Sequence, residues 1–301
     1  MPKLSLFPNG CTAGFPPGNT DAPKALRSEV SGWSPKSCRA NTRFLYSVDS
    51  KLLDGHAVAA TLTLKHCPPD STSWHRLLSI LMKRLRRLGL VRGHWVTEWQ
   101  RRGVPHLHCA LYFTHDNGQP THTGRDGEAA RVWRLPVTLA AIWCDIASEY
   151  GPKPSAQHIT PITDAVGWFG YVSKHAARGV SHYQRNPENI PPAWQKKTGR
   201  VWGKVGTWPT RDAVELELSS DAFWRFRRLV RGWRKADARS SGELRRFLSA
   251  RRMLTCNKPN LSPVRGVSEW LDLDKALMFV ATVAALGGEI QDYQSARTPA
   301  G

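Results

Sequence analysis

His106-Leu107-His108 places two imidazoles two residues apart in a run of apolar and aromatic residues, His106 to Phe113, that suits an extended strand. Side chains of a strand alternate with period two, so both rings point to one face and Leu107 to the other. A second strand-like run, Arg92 to Gln100, precedes it, and the connection Arg101-Arg102-Gly103 closes a hairpin in which Gln100 faces Val104. That register puts Glu98 directly opposite His106, about 5 Å away on the same face as the histidines. Two imidazoles and one carboxylate form a hard-to-borderline ligand set suited to Mg²⁺, Mn²⁺ or Zn²⁺ with positions left open for substrate. His94 shares the strand parity of Glu98 and is the reserve ligand or a group behind the ligands. A pair of partly buried histidines in a hydrated hairpin is the plain structural alternative.

The second group lies on a helix expected over Asp164 to Arg178, with Thr163 as its N-cap and Gly179 just past its end. Tyr171, Lys174, His175 and Arg178 fall at i, i+3, i+4 and i+7, a single polar stripe, while Phe169, Val172 and Ala176 face the core. A tyrosine among cations is a candidate nucleophile, because positive charge favours the phenolate and a bound metal polarises the phosphate it attacks. An ordinary helix whose tyrosine bridges core and solvent is again the alternative.

The elements that must position these groups follow from the rest of the pattern. Val58 to Leu64 is a strand stopped by Pro68-Pro69-Asp70; Ser71 to Leu88 is a helix with leucines at spacings of three and four; Leu135 to Tyr150 is a helix closed by Gly151-Pro152; Gln157 to Ile162 and Gly199 to Trp208 are strands. This order predicts an α+β protein, an antiparallel sheet of about five strands with packed helices, related to ferredoxin-like folds. Residues 1–50, with scattered Pro and Gly, read as an irregular or disordered arm, 51–215 as the catalytic domain, and 216–301 as a basic, mostly helical region.

Composition narrows the partner. The 301 residues carry 43 Lys and Arg against 24 Asp and Glu, a net charge of +19, which favours a polyanion and above all nucleic acid. Residues 221–252 alone hold eleven cations against three acids, and Arg225, Arg228 and Arg231 fall near one helix face suited to gripping phosphates. Thirteen tryptophans are many for this length, and Trp99, Trp168, Trp194, Trp202 and Trp208 flank the motifs, either as core residues or as stacking platforms for unpaired bases. The six cysteines show no Cys-x-x-Cys pair, no apolar run reaches membrane-spanning length and the first residues lack a signal-peptide core, so a cytoplasmic protein is expected.

In order and separation, Thr61-Leu62-Thr63, His106-Leu107-His108 and Tyr171-Val172-Ser173-Lys174 resemble the three motifs of HUH endonucleases, in particular single-tyrosine rolling-circle replication initiators of filamentous phages and small plasmids. The resemblance covers about Ala57 to Trp208. It implies a ferredoxin-like or RRM-like sheet with the histidines at its centre; His106, His108 and Glu98 as ligands of Mg²⁺ or Mn²⁺; Tyr171 as nucleophile; and Lys174 as the group that neutralises the phosphate. His175, Arg178 and the C-terminal arginines would contact DNA. The implied partners are single-stranded origin DNA with its flanking duplex and a host helicase and DNA polymerase in the bacterial cytoplasm, the chain having no Gly-x-x-x-x-Gly-Lys-Ser/Thr loop of its own. A single-tyrosine transposase and a non-catalytic DNA-binding repressor are the competing functions.

Overall fold

The computed structural model describes residues 1–15, 31–114, 134–177, 183–244, 247–248, 250–251 and 267–292. The chain divides into two compact units, one formed by residues 25–42 and 52–208, the other by 1–24, 43–51 and 209–301. Each contains one five-stranded antiparallel sheet. Strands β1 (Lys3–Phe7) and β2 (Gly10–Gly14) and helix α1 (Pro35–Ser47) come first in the chain.

In the unit of residues 25–42 and 52–208, the elements are β3 (His56–Thr63), α2 (Ser71–Arg87), β4 (Leu90–Trp99), β5 (Pro105–Phe113), α3 (Arg134–Ile146), β6 (His158–Pro161), α4 (Ala165–Ala177) and β7 (Trp202–Gly206), with sheet order β6-β3-β5-β4-β7. The hairpin β4-β5 is central. Its turn requires Gly103, which sits at φ +77°, a left-handed value that a side chain disfavours. Residues 107, 109, 111 and 113 of β5 join Thr97 and Trp99 of β4 on the face covered by α2 and α3; Trp74 of α2 donates Nε1–H to Thr97 Oγ1 at 3.1 Å and packs edge-to-face on Trp143 of α3. Asp70 caps α2 by accepting from Ser73 N–H at 2.7 Å, a contact worth about 1 kcal/mol. The even-numbered residues of β5 point the other way, and they too are buried, so this sheet is covered on both faces.

The other unit corrects the expected domain plan. The first fourteen residues are not an arm: β1 is the middle strand of a sheet ordered β10-β8-β1-β2-β9, where β8 is Val214–Leu218, β9 Val267–Glu269 and β10 Ile290–Asp292. Leu4, Leu6, Cys11 and Ala13 are buried against α5 (Ser220–Ser240) and α6 (Leu273–Ala285), through Phe223, Phe226, Val230 and Val283. Alternation in β8, Val-Glu-Leu-Glu-Leu, supplies the edge that pairs with β1. The first compact unit therefore ends at Trp208 rather than at 215, and the C-terminal region contributes three strands as well as helices.

Candidate metal and nucleophile site

Glu98 faces His106 across β4-β5, as the three-residue connection requires, and Trp99 faces Pro105. Glu98 is fully buried and both histidines are buried. Glu98 Oε2 lies 3.6 Å from His108 Nε2 and 4.0 Å from His106 Nε2, and one ligand atom from each of the three residues falls within 4.8 Å of the other two. Among the described residues this is the group of three that could hold a metal ion.

The ligand orientations come from neighbours. Thr61 on β3 is paired with His108, and its Oγ1 is 2.9 Å from His108 Nδ1, which turns Nε2 toward Glu98. A short 3-10 turn, Tyr183–Arg185, reaches the other two: Arg185 Nε donates to Glu98 Oε1 at 2.7 Å, and Gln184 Nε2 lies 3.0 Å from His106 Nε2, the same ring nitrogen that faces Glu98. Arg185 is itself fully buried, its guanidinium 3.8 Å from the centroid of the Trp33 ring and within reach of Cys38 Sγ at 3.8 Å. Burial pushes the Glu98 carboxyl above its ordinary value, and the Arg185 charge and hydrogen bond pull it back. Nothing in the sequence singles out Arg185, Gln184, Trp33 and Cys38. They lie in segments without periodicity, and a lone arginine in such a segment reads as a surface residue.

Tyr171 stands beside this cluster on α4. Its ring meets the His108 ring edge-on at a centroid distance of 6.3 Å and stacks on Trp168 at 5.3 Å, and the side chain is 42% exposed, open to a substrate. The helix is started by Asp164 rather than Thr163: its Oδ1 accepts from Gly167 N–H at 2.9 Å. A Cβ at Gly167 would sit 2.3 Å from Asp164 Oδ2, so the glycine makes room for the cap. Phe169 and Val172 are buried, as the helical wheel requires. Lys174 and His175 follow on the same helix, but their side chains, and Arg178 entirely, lie outside the described residues.

His94 does not join the ligands. It points to the same face but is buried four residues along β4, its Nε2 2.7 Å from Asn41 Oδ1, and burial lowers its pKa to about 3. Of the flanking tryptophans, Trp99 and Trp194 are fully buried and pack edge-to-face, Trp208 is buried against Phe169 and Tyr112, and Trp168 stacks on the tyrosine. Arg225, Arg228 and Arg231 lie on α5 of the other unit. Arg225 is turned aside, paired with Asp221 and donating to the Leu286 carbonyl at 3.2 Å.

The chain is thus an α+β protein in which a carboxylate and two histidines on the central hairpin of an antiparallel sheet form a group that could hold a metal ion, with a helix-borne tyrosine edge-on to one of the histidines. The chain is 47% identical over 292 residues to the replication-associated protein G2P of Pseudomonas phage Pf3, an alignment spanning 96% of this chain and 99% of the phage protein. It is 44% identical over 293 residues, 95% of its length, to a protein of Xylella fastidiosa strain 9a5c named by inference for replication, and 43% identical over 276 residues to a similarly named protein of strain Temecula1. It belongs to this family of replication proteins. No protein-family model matches the chain, and no solved structure does. Among the described residues no helix is long and apolar enough to cross a membrane.

Proposed function

We propose that this protein initiates replication as an HUH-type endonuclease, cutting one DNA strand at an origin with Tyr171 and later resealing it. The observation that carries the proposal is the edge-on approach of the exposed Tyr171 ring to His108, within a cluster that also contains Glu98 and His106. The names of the relatives favour an initiator over a transposase.

The donor set fits a divalent cation such as Mg²⁺ or Mn²⁺: two imidazoles and a carboxylate, with Glu98 oriented by Arg185 and His108 by Thr61. When bound by Glu98, His106 and His108, the ion supplies Lewis-acid polarisation of the scissile phosphate. Tyr171 Oη forms a bond to phosphorus, and the bond from phosphorus to the 3′ oxygen breaks. The products are a 5′-phosphotyrosyl link and a 3′-OH that a polymerase extends. Trp168 limits the swing of the Tyr171 ring by stacking on it, and Lys174, one turn further along α4, neutralises phosphate charge. Attack of a 3′-OH on the phosphotyrosyl bond reverses the step and releases Tyr171, so joining needs no external energy source. The chain carries no ATP-driven unwinding motif, and strand separation and synthesis fall to the host helicase and polymerase.

The test is incubation of wild type and Tyr171→Phe with labelled single-stranded origin DNA and Mn²⁺, Mg²⁺ or EDTA, followed by a denaturing gel. A covalent band that needs both the metal and Tyr171 is expected. Retained adduct in Tyr171→Phe overturns the assignment of the nucleophile, and binding with no adduct on target-bearing DNA overturns the nicking function.

A further inference from the structure

Gln184 touches the atom of His106 that the ligand set needs. Its Nε2 lies 3.0 Å from His106 Nε2, and that ring nitrogen is the one facing Glu98 Oε2 at 4.0 Å. An amide nitrogen only donates, so His106 Nε2 accepts, and its lone pair points at Gln184. A cation needs the same lone pair, and an amide nitrogen has none to offer it in return. In this orientation Gln184 competes with a cation for His106. The opposite orientation reverses the relationship. The two ends of an amide are alike in size and the last torsion of a glutamine is broad and two-fold, so half a turn sets Oε1 where Nε2 stands, 3.0 Å from His106 Nε2. Two donors held at right angles, each about 2.0–2.1 Å from an octahedral ion, are about 2.9 Å apart.

The backbone under Gln184 is fixed while its side chain is not. Arg185, next in the chain, is fully buried, donates to Glu98 Oε1 and lies over the Trp33 ring, and Ile190 and Trp194 beyond it are buried in the core shared with β4 and β5. Gln184 itself is half-buried, so its amide turns without the backbone moving. We propose that Gln184 is a fourth metal ligand, exchanging the hydrogen bond of its amide nitrogen to His106 for coordination of the ion through Oε1. A neutral amide oxygen is a hard donor that suits Mg²⁺ or Mn²⁺ and adds no charge to the site. Glu98, His106, His108 and Gln184 together still leave an octahedral ion with positions open to substrate. The inference rests on the metal reading of the proposed function and not on the nicking step.

The experiment titrates Mn²⁺ into the full-length chain by calorimetry and counts the waters on the bound Mn²⁺ by water-proton relaxation, for wild type, Gln184→Leu, Gln184→Glu and Glu98→Gln. Gln184→Leu is expected to bind Mn²⁺ at least about tenfold more weakly, with one more water on the ion than in wild type. Gln184→Glu, which keeps an oxygen at the same place, is expected to bind at least as tightly as wild type with the wild-type water count. Tighter binding by Gln184→Leu would make Gln184 a competitor for His106 and nothing more, and it overturns the proposal. An unchanged affinity or an unchanged water count overturns it too, even where the denaturant midpoint in EDTA has moved, because a role confined to folding leaves the ion's waters alone. Should Gln184→Leu not fold, Gln184→Glu decides, and an extra water there counts against ligation. Failure of the metal reading itself has a different signature, a wild type that takes up no Mn²⁺ or a Glu98→Gln variant as tight as wild type, and it removes this inference as well.

Discussion

Arg185 donates its Nε–H to Glu98 Oε1 at 2.7 Å, and neither side chain is exposed to solvent. Eighty-seven positions apart in the chain, the two form a buried ion pair whose other carboxylate oxygen faces the two histidines. Removing only the cation strands a buried carboxylate. Arg185→Ala should therefore cost about 3–5 kcal/mol in denaturant unfolding. Replacing both partners, Glu98→Gln with Arg185→Met, should restore most of that stability while Mn²⁺ binding, measured by calorimetry, stays weak. A double variant that binds Mn²⁺ as the wild type does would remove Glu98 from the ligand set.

Acid should loosen the same unit through a different residue. His94 is buried beside Asn41 and Trp202, and its pKa is lowered to about 3 from the ordinary value of 6.5. The unfolded chain takes up this proton near pH 6.5 and the folded chain does not. Stability is then complete above pH 6.5 and falls as the pH drops from 6.5 toward 3, by up to about 1.4 kcal/mol per unit. Burial lowers the His75 pKa as well, and it adds a loss of the same sign. Denaturant midpoints at successive pH values should show this decline, and His94→Gln should flatten it in part.

Deleting residues 1–14 should unfold the second unit. β1 is bonded on one side to β2 and on the other to β8, so its loss splits the sheet and exposes Phe223, Phe226 and Val283. Limited proteolysis with mass spectrometry should find new cleavage within 209–244 and 267–292, with the cleavage of 52–114, 134–177 and 183–208 unchanged from the parent. A deletion variant with the parental proteolysis pattern would return these residues to the status of a dispensable arm.

The part of the site that could be read from the sequence is the part governed by local rules. The parity of His106 and His108, the three-residue connection and the opposition of Glu98 depend on residues within a span of about fifteen. The cap of α4 lies one residue beyond the one expected from the sequence, because Thr163 and Asp164 are both good caps and the space left by Gly167 chooses between them. Arg185 was invisible for a different reason. Its partner is chosen by three-dimensional burial, and nothing in the irregular segment around it distinguishes it from a surface arginine. The first fourteen residues failed for a third reason: two five-residue strands flanked by Pro and Gly carry little periodicity, and β1 takes a partner more than 200 residues away.

That pairing sets an order of events during synthesis. The sheet built from β1, β2, β8, β9 and β10 cannot close until the chain has been extended past Asp292, while the unit bearing Tyr171 is complete once Trp208 has emerged. Until α5 has been made, the nascent β1-β2 hairpin has Leu4, Leu6 and Cys11 without the Phe223, Phe226 and Val230 side chains that cover them, and it stays an exposed apolar ribbon. The earliest-made residues are thus among the last to be buried, and the ribosome delivers the tyrosine unit first.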